Sequence, residues 1–146
     1  MVDAHDITIH NYGNHKFMAL HVEVSDRLTA HETHDIAEEV AELMRQKLGA
    51  YATVHIDPID TEGDLVQEIS MKLDQLAPLS DNIIGFHDLR IVNTPDHLVI
   101  LVEMTLSPDT PKNKQNTTQR WIQKELLKAY PHAEVDISIS PLHTYR

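Results

Sequence analysis

The chain repeats itself, and that constrains its fold more than any single motif. Aligned without gaps, residues 5–24 and 87–106 share His5/His87, Asp6/Asp88, Ile9/Ile91, Asn11/Asn93 and His15/His97, five identities in twenty positions. VHIDP at 54–58 corresponds to ISISP at 137–141. Whatever the first stretch builds, the second is expected to build again.

Local patterns say what is built. HDITIH (5–10) and KFMALHVEV (16–24) alternate as strands do, and NYGNH between them is a turn. Its Asn11, Gly13 and Asn14 tolerate the backbone angles of a hairpin. SDRLTAHETHDIAEEVAELMRQKLGA then predicts a helix with marked ends. Thr29 is the N-cap and Glu32 completes a capping box. Ile36, Ala37, Val40, Leu43, Met44 and Leu48 form an apolar stripe at helical spacing, and Gly49 follows as the C-terminal cap. ATVHI is a third strand, and Pro58 stops its alternation.

Leu65, Ile69, Leu73 and Leu76 mark a further helix that Pro78 ends. GFHDLRIV and HLVILVEMTL read as strands, NTTQRWIQKELLKAY as a helix stopped by Pro131, and AEVDISISP as a last strand. The expectation is an α+β chain of two lobes. Residues 1–60 are β-β-α-β, and residues 61–146 are α-β-β-α-β with the leading helix at 65–77. Lobes of this size are marginal alone.

Charge narrows the function. The formal net charge is −11, and the first 60 residues hold 4 Lys/Arg against 11 Asp/Glu. Such a chain attracts cations and is a poor partner for the phosphate backbone of a nucleic acid. It has no cysteine, which excludes disulfides and thiolate zinc sites. No apolar run approaches the ~20 residues a membrane helix needs, and no signal-peptide pattern opens the chain.

Histidine is abundant: eleven residues, seven of them within the first 55. His55 and Asp57 lie two apart on a strand, hence on one face, about 6.6 Å apart along the chain. They could clasp one metal or bridge two. His21 points away from the face of Met18, Leu20, Val22 and Val24. His34 lies near the helix start. His5 has the parity of Ile7 and Ile9, which says little about where it points. Singly, each is also explained as a polar residue on a solvated face, and His10, His15, His31, His97 and His132 read as surface, turn or loop residues. Taken together, His5, His21, His34, His55 and Asp57 could supply the nitrogen and oxygen donors of a divalent-metal site, a reading the residues alone weigh evenly against a solvated polar face. Such donors suit zinc first, and also manganese, iron, cobalt or nickel. The second repeat has Glu103, Ser138 and Ser140 where the first has His21, His55 and Asp57, Thr117 in the region of His34, and retains only His87.

In this order and spacing, HDITIH, ALHVEV, LTAHETHDIAEEVAELMRQKLGA and TVHIDP resemble the cytoplasmic C-terminal domain of cation diffusion facilitator transporters. GFHDLR with its preceding helix resembles the start of a second, degenerate copy. The resemblance implies a ferredoxin-like, metallochaperone-like fold in each lobe. It implies a non-enzymatic module that follows a membrane-spanning transporter domain, here missing, and works in the cytoplasm. It further implies a homodimer that binds metal at its interface through His5, His21, His34, His55 and Asp57, so that binding draws the protomers together and regulates transport. Binding is expected to weaken toward pH about 6, as protons compete for imidazole. A regulatory domain for a small molecule would share the β-β-α-β order but would call for a Gly-rich loop that this chain lacks. A hydrolytic metal enzyme would call for a nucleophile or HExxH motif, also lacking.

Overall fold

The computed structural model describes residues 1–140. Pro141, the last residue of the ISISP motif, lies outside the described residues. The chain divides into two compact units, Met1–Ile59 and Asp60–Arg146. Among the described residues no helix is long and apolar enough to cross a membrane.

Lobe 1 runs β1 (Asp3–Tyr12), β2 (His15–Ser25), α1 (Ala30–Leu48) and β3 (Ala50–Ile59). Its sheet order is β1-β2-β3. β1 and β2 are an antiparallel hairpin in which Tyr12 faces His15, so the turn is only Gly13 and Asn14. β3 returns parallel to β2. Helix α1 begins and ends where its caps predict. Thr29 accepts the Glu32 backbone N–H while the Glu32 carboxylate accepts the Thr29 N–H. These bonds to Thr29 hold the Glu32 carboxyl below its ordinary range. Gly49 closes the helix in the left-handed region, φ 63°, where a side chain would be strained.

One side of this sheet holds the core. Met18, Leu20, Val22 and Val24 are buried, and Ile36, Val40 and Met44 of α1 pack over them with Val54 and Ile56. The core is thin: α1 has no fully buried residue, and Leu43 and Leu48 are exposed.

The third strand does not stop at Pro58. It continues to Ile59, with Pro58 paired to Val24. β3 has a neighbour on one side only, and a proline without an N–H is tolerated on such an edge strand.

Lobe 2 runs α2 (Asp64–Leu76), a 3-10 turn (Ala77–Leu79), β4 (Ile83–Thr94), β5 (His97–Leu106), α3 (Lys112–Ala129) and β6 (Ala133–Ser140). Its sheet order is β4-β5-β6, again an antiparallel hairpin followed by a parallel strand. The two lobes are therefore ferredoxin-like sheets of the same order. Lobe 2 has the extra helix and the better core. Val66, Ile69, Leu73 and Leu76 of α2 and Ile122 and Leu126 of α3 are buried against Ile91, Ile100, Val102 and Met104. Gln119 and Gln123 of α3 donate to the carbonyls of Ile137 and Val135 on β6.

Candidate metal centre

A single backbone irregularity assembles the centre. The β1–β2 ladder is regular from Tyr12↔His15 to Thr8↔Ala19, then slips before His5↔His21. The extra residue of this bulge is accommodated at Asp6, whose φ of 49° is left-handed. The slip reverses the facing of everything beyond it. His5 thus joins the face of His21, although it is an even number of residues from Ile9, which pairs with core residue Met18.

The parallel register of β2 and β3 then sets His21 beside His55 and Glu23 beside Asp57. Three imidazoles form a row across three strands. Ring centroids are 5.4 Å apart for His5 and His21 and 4.5 Å apart for His21 and His55. Asp57 is their common partner. Its Oδ2 lies 3.0 Å from His21 Nδ1 and 3.3 Å from His5 Nε2, while its Oδ1 lies 2.7 Å from His55 Nδ1. His5, His21 and Asp57 are half-buried and each offers an atom within 4.8 Å of the other two. His55 is 66% exposed.

His34 is not in this group. It is exposed on α1, with Nδ1 3.6 Å from Asp35 and Nε2 3.9 Å from Glu38.

The donor set fits a divalent ion. Imidazole nitrogen and carboxylate oxygen bind zinc and its neighbours at about 2.0–2.2 Å, so donors around one tetrahedral ion lie about 3.4 Å apart. The 3.0 and 3.3 Å separations at Asp57 Oδ2 are close to that spacing.

Two carboxylates near the row were not among the sequence candidates. Glu23 is nearly fully buried, and its Oε1 lies 3.6 Å from His5 Nε2. It has the strand parity of His21, and a charge inside VEV was the available signal. Asp6 lies 3.7 Å from His5 Nδ1. Neighbours in a regular strand point apart, so no periodicity argument could have paired them.

Lobe 2 has the same bulge, between His87 and Arg90, with Asp88 left-handed at φ 52°. Its register sets His87, Glu103 and Ser138 side by side where lobe 1 has His5, His21 and His55, and Thr105 beside Ser140 where lobe 1 has Glu23 and Asp57. Here hydroxyls close around the histidine. His87 Nε2 lies 3.0 Å from Ser140 Oγ, and its Nδ1 lies 3.4 Å from Thr105 Oγ1.

Compared with known proteins, residues 1–59 match the family model described as cation efflux protein, cytoplasmic domain. The match ends where the first compact unit ends. No curated protein matches the chain.

Proposed function

Because residues 1–59 match the family model of the cation efflux cytoplasmic domain, we propose that this chain is the cytoplasmic metal-sensing and dimerisation module of a divalent-cation efflux transporter, of the zinc type, and has no catalytic role. The observation that carries this reading is the convergence of His5 Nε2 and His21 Nδ1 on one oxygen of Asp57. Residues 60–146 are a second copy of the same domain, joined in tandem, in which the histidine row has been reduced to His87.

In this mechanism each residue has a separate task. His5, His21 and Asp57 hold the ion. His55, on the other oxygen of the carboxylate, orients Asp57 and is open to a second protomer. His34 on α1 is likewise exposed and available across a dimer interface. The bound cation supplies positive charge where the acidic excess of lobe 1 otherwise opposes the approach of a second lobe 1. An ion that binds only the closed dimer stabilises it by about 2.7 kcal/mol at a hundred times its Kd.

Isothermal titration with zinc tests this. The parent chain binds zinc, Asp57→Ala loses most of the affinity because it removes the shared oxygen, and His55→Ala loses less. Sedimentation with and without zinc shows the shift toward dimer. If both variants bind zinc like the parent, the site assignment is wrong. If zinc binds but the sedimentation coefficient stays put, the dimerisation role is wrong.

A further inference from the structure

We propose that lobe 2 carries a divalent-cation site of its own, built from His87, Asp88 and Glu103 and suited to a harder cation than the one lobe 1 takes. These three residues offer atoms that all lie within 4.8 Å of one another. They lie at the same point of the same sheet order as the lobe 1 row, but the donors differ. Lobe 1 presents two imidazoles and one carboxylate, lobe 2 one imidazole and two carboxylates. More oxygen and more negative charge favour manganese or magnesium over zinc.

Three features of the geometry support a binding role. The bulge at Asp88 turns neighbouring side chains of β4 toward one point, where a regular strand would send them to opposite faces. Glu103 Oε2 lies 3.2 Å from His87 Nε2, so an ion between them replaces an existing electrostatic contact rather than forcing two charges together. Thr105, 9% exposed, lies with its Oγ1 3.4 Å from His87 Nδ1. A hydrogen bond on that nitrogen fixes the ring, as in metal-binding histidines, and directs Nε2 at Glu103 Oε2 and at Ser140 Oγ, 3.0 Å away, so an ion bound there takes the place of the Ser140 contact. His87 is 42% exposed and Glu103 33%. The site is open enough for the waters that a hard cation retains.

The full chain with lobe 1 disabled by His21→Ala and Asp57→Ala, titrated with Mn²⁺ and followed by the EPR signal of the free ion, tests the proposal. One Mn²⁺ per chain is expected to remain bound. Adding Glu103→Gln lowers that affinity more than about tenfold, and Thr105→Val lowers it by a factor within about 10–100, the usual effect of losing an outer partner. Asp88→Asn keeps a residue that tolerates the left-handed backbone while removing the charge, so its loss of Mn²⁺ does not reflect misfolding. Trp121 fluorescence, which reports lobe 2, checks the fold of each variant. In the unmutated chain Mn²⁺ broadens the His87 ring protons in NMR spectra. The proposal is overturned if the disabled chain binds no Mn²⁺, or if folded Glu103→Gln and Asp88→Asn bind it unchanged. Loss of zinc binding in lobe 1 variants leaves this result unaffected, so the two sites stand or fall separately.

Discussion

Asp6 and Asp88 are where one residue decides what a strand presents. Both hold left-handed backbone without being glycine, which costs about 1 kcal/mol. Asp6→Gly is therefore expected to leave stability unchanged or raise it by up to about 1 kcal/mol, while β-branched Asp6→Val lowers it by about 1–2 kcal/mol. Urea unfolding of the two variants gives the comparison, and equal midpoints would show that the bulge carries no strain. Of the five ligand candidates, the parity of His21, His55 and Asp57 gave their common face, while His34 lies apart on α1. The position of His5 was not legible. A slip of one residue reverses a side chain while leaving the local composition unchanged. Tyr130 makes a second, separate prediction at this scale. Desolvation, followed by its hydrogen bond to Glu68, raises its hydroxyl to about 12. The native state thus holds this proton more tightly than the unfolded chain, whose tyrosines titrate near 10. The resulting stability is complete below pH ~10 and is lost as pH rises through about 12. Tyr130→Phe should flatten that part of an alkaline unfolding curve, and a curve like the parent's would show that the Glu68 contact is not felt.

At the scale of elements, helix ends were read most reliably because caps are chemical and local. Thr29, Glu32 and Gly49 all act as the sequence implies. Gly49→Ala is expected to cost about 1 kcal/mol in thermal or chemical unfolding, since alanine at φ 63° is strained. Thr29→Ala costs a similar ~1 kcal/mol by removing the cap. No loss in either variant would mean that α1 is held by packing alone. Several boundaries were read short, and two of them have a clear cause. α3 starts at Lys112 rather than Asn116, because its first turn, KNKQ, is polar and offers no apolar period to detect. β3 runs through Pro58 because an edge strand needs no N–H on its open side. The comparison of Ile9 and Ile91 shows what the extra helix of lobe 2 does. Ile91 is 1% exposed and shares a core with α2, while Ile9 at the matching place in lobe 1 is 53% exposed.

For the whole molecule, that difference predicts two stabilities. Among the described residues, the core cluster of lobe 1 has five buried apolar residues and that of lobe 2 has thirteen, so lobe 1 should unfold first. Zinc at a hundred times its Kd should raise the lobe 1 transition by roughly 10–20 °C, given about 2.7 kcal/mol of linkage and 4–8 °C per kcal/mol for a lobe of this size. Trp121 lies in lobe 2, and Tyr12 and Tyr51 in lobe 1. A metal-dependent shift seen through far-UV ellipticity but not through Trp121 fluorescence would place the ion in lobe 1. An equal shift in both signals would contradict that placement. The arrangement of two lobes of one sheet order was legible because the repeat was. That lobe 1 is marginal followed from its size, but the exposure of Leu43 and Leu48 was not legible, since a helical stripe looks the same whether or not other elements cover all of it.

The histidine row also has a mechanical meaning. His5, His21 and His55 come one each from β1, β2 and β3, so both outer strands of lobe 1 meet the central one at a single level. An ion held there is a transverse rivet through the sheet. Tension applied at Met1 peels β1 from β2 one ladder rung at a time, beginning next to the rivet. With the ion in place, peeling must break a metal–ligand bond before it can spread past His5. A tethered lobe 1 pulled from its N-terminus in optical tweezers is thus expected to yield at higher force with zinc than with chelator. An equal force in both conditions would show that the row does not bind its strands together.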